Sequence, residues 1–371
     1  MAGLYVHIPW CVRKCPYCDF NSHEIRNDFE ESKYVDRVIA DLKNELENHP
    51  LQINTVYFGG GTPSLFSPDS FYRILATLRQ AQLREVTMEA NPGTTEHVDF
   101  RHYRNAGITR VSLGAQSFHL DHLKALGRIH GPLEASRAIE KALTAGLDSV
   151  NVDLMYGLPN QTIDQAMEDL QTAIALGPQH ISWYELTIEP NTVFAKSPPK
   201  LASTDYRAEM EEEGVRLLAD NGFERYEVSA YARNDLTCEH NLNYWLFGDY
   251  FGVGAGAHGK LSTGDGILRT SKARMPKSYM QGTKGSSTMV TNEDIPVEFM
   301  MNALRLCDGV EEDLFHKQTG LPFCTIRATV ERLRSWDLMQ PNRLQLTPKG
   351  FQQLNGVVSE FLSTTGVGIN E

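Results

Sequence analysis

The chain has 371 residues, 41% of them hydrophobic and 22% charged, with a formal net charge of −12. That is enough length for one large domain and a smaller one, in the composition of an ordinary soluble globular protein. An acidic surface repels phosphate backbones, no apolar run approaches the ~18 residues of a membrane span, and no basic region precedes an apolar stretch at the start, so we expect no nucleic-acid partner, no signal peptide and a reducing, cytoplasmic location.

The first predicted strand, residues 4–8, runs almost directly into Cys11, Cys15 and Cys18, spaced C-x3-C-x2-C, with the aromatic Tyr17 beside the last of them. A structural zinc site takes four ligands, usually as two pairs. Three thiolates in one short loop instead suit three irons of a 4Fe–4S cubane, which usually takes four. The fourth iron is then open to a small molecule.

Further β-branched runs occur at 55–58, 85–90, 110–115, 149–155 and 180–186. Amphipathic segments lie between them at 34–48, 69–80, 98–105, 132–145 and 163–176, and Gly107, Gly146 and Gly177 stand where a left-handed residue would stop a helix. Alternation of this kind implies parallel strands joined by helical crossovers. Six units are too few for a closed eightfold barrel. The predicted fold is therefore α/β, an open (β/α)6 partial TIM-type barrel.

In such a barrel, functional groups gather where strands end and loops begin. The second strand runs into Gly59-Gly60-Gly61-Thr62-Pro63, where glycines let backbone approach a ligand. The third carries Glu89, the fourth Gln116, the fifth Asp153 and the sixth Glu185. One polar strand end is commonly a satisfied hydrogen bond. A ring of them above a cysteine loop predicts a shared pocket.

After the barrel, assigned to residues 1–258, the stretch 259–295 is rich in Gly, Ser, Thr and Lys and predicts an irregular linker. Helical patterns at 297–305, 311–318 and 324–336, a hairpin-like stretch at 338–350 and a last helix predict a winged-helix-like module over 296–371. Cys307 and Cys324 are scattered and read as small buried hydrophobes.

The cysteine motif resembles that of the radical S-adenosylmethionine (SAM) superfamily, in which the open iron is chelated by the methionine amino and carboxylate groups of SAM and the reduced cluster cleaves a carbon–sulfur bond. Longer stretches narrow the likeness: Tyr5-Val-His-Ile-Pro-Trp-Cys11, Gly59-Gly-Gly-Thr-Pro-Ser64, Met88-Glu-Ala-Asn-Pro92, Leu113-Gly-Ala-Gln-Ser-Phe118 and Val152-Asp-Leu-Met-Tyr-Gly-Leu-Pro159. Together they resemble the oxygen-independent coproporphyrinogen III oxidase (HemN) family, including its relative HemW. The resemblance implies that Cys11, Cys15 and Cys18 hold the cluster. It places Tyr5 and Tyr17 beside SAM and Gly60, Gly61 and Thr62 along its methionine. Glu89 and Gln116 would bind its polar groups, Arg128 its carboxylate, and Asp153 would close the polar ring.

Two features set the sequence apart from the coproporphyrinogen-converting enzymes. Those continue the motif to a further cysteine where Phe20 stands here, and they carry a substrate-enclosing segment ahead of it, whereas this sequence begins almost at the first strand. Both are features of the HemW branch, which is heme-binding and chaperone-like, and its H-N-x-x-Y-W element matches His240-Asn241-Leu242-Asn243-Tyr244-Trp245. A lone histidine beside two aromatics otherwise reads as structural. With the match, the resemblance implies His240 as an axial ligand of heme iron, Tyr244 and Trp245 packed on the macrocycle and Asn241 orienting the ring. Cys238 is an alternative thiolate ligand, and His258, on a glycine-rich stretch, is unassigned.

The implied protein carries a 4Fe–4S cluster, SAM and heme, and passes heme to apo-hemoproteins such as respiratory enzymes. A homodimer and peripheral contact with membrane proteins accord with that reading, in which SAM cleavage remains open and no coproporphyrinogen oxidase activity is expected. The alternative is an oxygen-independent coproporphyrinogen III dehydrogenase acting by radical decarboxylation. A radical SAM enzyme acting on RNA would show basic patches or a further cysteine pair, and neither is apparent.

Overall fold

Residues 2–25, 29–79, 81–94 and 99–362 are described by the computed structural model. Six strands form its centre: β1 (Ala2–Ile8), β2 (Ile53–Gly60), β3 (Glu85–Ala90), β4 (Arg110–Gln116), β5 (Ser149–Tyr156) and β6 (His180–Glu185). Consecutive members pair in parallel, each to the next. Helices Glu31–Asn48, Pro68–Leu75, Phe100–Asn105, Pro132–Leu143 and Ile163–Leu176 supply the crossovers. The open six-unit barrel is thus present, with predicted ends displaced by a few residues at most. One predicted helix begins at Val98, which lies outside the described residues, as does the tail 363–371.

The strands are two-faced, and that decides what the barrel can hold. Leu4, Val6, Val56, Phe58, Val86, Met88, Val111, Leu113, Val150 and Val152 are buried against the helices. The alternate positions, Tyr57, Glu89, Arg110, Ser112, Asn151, Asp153 and Ser182, face inward and line a cavity. A period of two sends neighbouring side chains to opposite faces. Helix ends follow local chemistry: Thr162 and Gln165 make a reciprocal capping box at 3.0 and 3.2 Å, and Gly177 closes the same helix at φ 82°.

Beyond β6 the sheet continues through β7 (Glu224–Glu227) and β8 (Ala230–Ala232), and on the β1 side through β9 (Asp249–Val253), β10 (His258–Thr263), β11 (Gly266–Ser271) and β12 (Ser286–Met289). Their order is β12-β11-β10-β9-β1-β2-β3-β4-β5-β6-β8-β7. The expected linker over 259–295 is corrected here. It contains three antiparallel strands and the short helix Pro276–Met280, and Lys260 at its start is 1% exposed. Its small polar residues sit on an edge ribbon whose pairing partners, not its own apolar content, make it strand.

The C-terminal helices Ile295–Ala303, Glu312–Thr319 and Cys324–Ser335 enclose a second core with Phe299, Phe315, Val330 and Leu333. Antiparallel bridges Met339↔Leu346 and Val310↔Leu344 form the wing. This core also takes in Phe247 and Ile267, and Leu306 bridges Glu227, so the module is seated on the barrel edge. Arg332 and Arg334 of its third helix are held by Glu360, Glu312 and Glu331.

Candidate functional site

A deep cavity of about 570 Å³ runs from the cysteine loop down the barrel interior. Cys11, Cys15 and Cys18 line its mouth, all three as free thiols. Burial raises the thiol pKa of Cys11 and Cys18, and a bound metal reverses that preference. Among the described residues no three His, Cys, Asp or Glu groups converge on one metal ion. Three thiols spread around a mouth fit a cubane, in which each binds a different iron.

The glycine loop is built for close approach. Gly60 has φ 112°, a region that glycine enters freely, and its amide donates to Glu89 Oε2 at 3.0 Å. A Cβ on Gly61 would stand 2.4 Å from the Trp10 carbonyl oxygen. Gly61 and Thr62 amides donate to Ile8 and Trp10 carbonyls at 2.7 Å each, which ties the loop to the end of β1 beside the cysteines.

Glu89 accepts a second hydrogen bond from the Tyr57 hydroxyl at 3.0 Å. Burial, then the nearby Asp153, push its pKa up to about 7. Asp153 is pushed up by burial too and accepts from Ser112 and Asn151 at 2.8 Å each. Gln116 holds a left-handed φ of 69° at a register shift in β4, and its Oε1 accepts from Tyr184 at 2.9 Å. A non-glycine residue in that conformation at a pocket wall is strained, and such strain collects at functional sites. Glu185 lies at the rim, paired with Arg207 at 2.8 Å.

Arg128 donates to the Gly114 carbonyl at 2.6 Å and points its other nitrogen at Cys15 Sγ, 3.8 Å away. Its Nε has no partner. A guanidinium beside the cysteine loop with a donor to spare fits the carboxylate of a SAM molecule on the cluster. Tyr17 also lines the mouth. Tyr5 does not: Tyr57 takes that place, with Tyr5 stacked behind it at 6.3 Å and its hydroxyl 3.0 Å from His7 Nδ1.

The helix Glu239–Trp245 enters the lower end of the barrel as a plug. Glu85 fixes its start, accepting from Cys238 Sγ at 3.4 Å and from the Glu239 and His240 amides at 2.9 and 3.1 Å. The His240 ring lies over Gly3, where a Cβ would come within 2.9 Å of its Cε1. His240 is fully buried, its Nδ1 bonded to Thr55 Oγ1 at 2.9 Å and its Nε2 to the Tyr244 hydroxyl at 2.8 Å. Burial, then the Arg110 charge, lower its pKa to about 3.

Both His240 nitrogens are hydrogen-bonded in this conformation, so ligation of heme iron would require the Thr55 or the Tyr244 bond to break. Tyr244 is likewise enclosed, against Tyr250 at 4.5 Å. Cys238 is a buried thiol with its pKa pushed up to about 12, which counts against a thiolate ligand. Asn241 and Trp245 do reach the cavity and form part of its floor. His258 is exposed on β10.

Sequence reasoning missed Tyr57, Arg110, Ser112, Asn151, Ser182 and Tyr184. The signal was there, since each recurs at a two-residue step from another polar residue within a predicted strand. Strands of a parallel sheet covered on both faces read as near-continuous apolar runs.

Residues 5–173 match the Radical SAM superfamily and residues 290–352 the HemN C-terminal domain. A protein of Escherichia coli named heme chaperone HemW is 46% identical over 370 residues, covering 97% of this chain and 98% of its own. One of the same name from Haemophilus influenzae is 44% identical over 375 residues, with the same coverage. Another from Bacillus subtilis is 32% identical over 340 residues, covering 86% of this chain and 87% of its own. The solved coproporphyrinogen III oxidase (HemN) from Escherichia coli superposes with a TM-score of 0.79 at 22% identity, covering 97% of this chain and 89% of that one, a likeness of fold.

Proposed function

The chain belongs to the HemW heme-chaperone family of radical SAM proteins, and on that premise we propose that it binds heme and passes it to apo-hemoproteins in the cytoplasm. The observation that carries the reading is near-full-length identity of 44–46% to two heme chaperones. The barrel mouth accords with the family's cofactors. Cys11, Cys15 and Cys18 would hold a 4Fe–4S cluster and Arg128, Glu89, Gln116, Asp153 and the glycine loop would hold SAM. When bound, the cluster supplies one electron at a time to a SAM sulfonium. The protein's own part is to fix the methionine carboxylate on Arg128 and keep Glu89 near the point of ionisation.

Clients are proposed as apo-hemoproteins, respiratory enzymes among them, and the assembly as a homodimer that meets membrane-bound clients peripherally. No helix among the described residues is long and apolar enough to cross a membrane. Phe20 is 57% exposed on the cysteine loop, available for contact with a client.

An anaerobic heme titration followed by transfer to an apo-hemoprotein tests the reading. We expect saturable binding with a sharp Soret band, and appearance of holo-client on mixing. Unsaturating binding, or formation of a vinyl-bearing product from coproporphyrinogen with SAM and reductant, refutes it. The same titration on His240→Ala reads whether the plug helix releases His240. An unchanged Soret band places the iron elsewhere, and a lost band in a folded variant means that the Thr55 and Tyr244 bonds break to free the ring.

A further inference from the structure

Three arginines line the cavity: Arg13 and Arg128 near the cysteine loop, and Arg110 below. Arg128 stands at the mouth, beside the cluster loop. Arg128 bonds the Gly114 carbonyl of β4, and Arg110 begins that strand four residues earlier, ~13 Å further down. The chemistry at the mouth makes no use of it.

Arg110 is 3% exposed, and what remains open lines the cavity floor. Among the described residues, its Nε has no hydrogen-bond partner and no carboxylate forms an ion pair with it. Burial of an unpaired guanidinium is costly, because no protein group replaces the water it gives up. Glu85 and Asp153 lie close enough to favour the Arg110 charge without forming an ion pair with it, and the Glu85 oxygens accept from Cys238 Sγ, the Thr87 hydroxyl and the amides of Glu239 and His240. Among the acidic groups of the wall, burial raises Asp153 and brings Glu89 to about 7, Glu227 is bonded by Ser229 and Arg305, and Glu185 is paired with Arg207, while Asp19 and Glu189 carry their charge elsewhere on the lining.

A second donor waits on the same floor. Trp245 lines the cavity and its Nε1 is buried without a partner. Its ring is fixed from behind by the Arg305 guanidinium, 4.3 Å from the centroid. Asn241, one helical turn earlier, lines the floor too. An arginine and an indole N–H that both lack acceptors, in a cavity with polar walls, call for a planar anion that accepts from several donors at once.

We propose that Arg110, with Trp245 Nε1 and Asn241, forms a carboxylate-binding subsite at the floor of the barrel, distinct from the methionine carboxylate site at Arg128. The subsite does not rest on the heme reading. Two sources carry the chemistry: a propionate arm of a tetrapyrrole reaching down the cavity, or a free dicarboxylic acid.

The test uses the full chain with its cluster loaded, titrated with hemin, hemin dimethyl ester and succinate, in wild type and Arg110→Met. Absorption reports the tetrapyrroles and tryptophan fluorescence the acid. If a propionate is the occupant, wild type binds hemin about tenfold more tightly than the ester, the size of one charge-assisted contact, and the variant loses that preference while keeping its affinity for the ester. If a free acid is the occupant, succinate quenches wild type and not the variant, and hemin and ester bind alike in both. The subsite is overturned if the variant matches wild type towards all three. If hemin fails to bind wild type, the chaperone reading falls and the succinate arm still decides the subsite. Arg110→Met removes an unpaired buried charge and should fold. Should it not, Arg110→Lys carries the test: it keeps the charge without the two-pronged geometry, so partial losses support the subsite and wild-type affinities overturn it.

Discussion

Replacing Glu89 by glutamine should make the protein more stable and less able to bind SAM. Its carboxyl titrates at about 7 against an ordinary 4.5, because burial and then Asp153 disfavour the charged form. Below about pH 4.5 the group is protonated in both folded and unfolded chains and has no effect on stability. Between about 4.5 and 7 the unfolded chain gives up its proton first, so the folded state loses ground as pH rises; above 7 the loss is constant. The difference of 2.5 at ~1.4 kcal/mol per pKa unit sets a ceiling of ~3.5 kcal/mol. Glu89 is partly open to the cavity, which screens it, so ~1–3 kcal/mol is expected at pH 8.

Glutamine cannot ionise, and it fits the same bonds, Oε1 accepting from the Gly60 amide and Nε2 donating to the Tyr57 hydroxyl. Urea midpoints for the two proteins, prepared with equal cluster content, should diverge from about pH 5 to about pH 8 with the variant ahead. Asp153→Asn should shrink the divergence by lowering the Glu89 pKa. A difference flat in pH, or a variant weaker than wild type at pH 8, refutes the reasoning. Weaker SAM binding in a more stable protein would be the stability cost of a functional site.

Cys15→Ser should leave the fold intact and lose the cluster, read as iron content and visible absorption after reconstitution. Gly61→Ala puts a Cβ 2.4 Å from the Trp10 carbonyl; we expect ~1–3 kcal/mol of destabilisation and reduced iron retention, because the loop that seats the cysteines must shift. Gly214→Ala, where a Cβ would overlap the Trp183 ring at 1.9 Å, should cost a similar ~1–3 kcal/mol with iron content unchanged, since it parts the helix Thr204–Asp220 from the outer face of β6 and touches no residue of the cysteine or glycine loops. Lys260→Met leaves Asp249 and the Phe247 carbonyl without the ammonium they share at 3.0 and 2.8 Å; breaking such a buried pair is expected to cost ~3–5 kcal/mol in denaturant unfolding.

Much of the barrel was legible in the chain because its signals are local. Apolar alternation over a few residues sets strand 85–90, capping chemistry at Thr162 starts a helix, and Gly177 ends it. The cysteine loop is legible for the same reason, its three cysteines falling within eight consecutive residues. The ribbon from 258 to 289 was not legible, because small polar residues are strand only by virtue of their neighbours.

The sequence by itself determined the six β/α units, the cysteine triad and the glycine loop that meets it. Tertiary structure decided which polar residues share a cavity and which are spent on one another. His240 is bonded by Thr55, 185 residues away, and Glu85, which neighbours Arg110, is bonded by the helix at 239. No spacing rule reaches across such separations. The partners of a buried polar group are chosen by chain closure, so whether a histidine or an arginine is structural or open to a ligand is settled only once the barrel has formed.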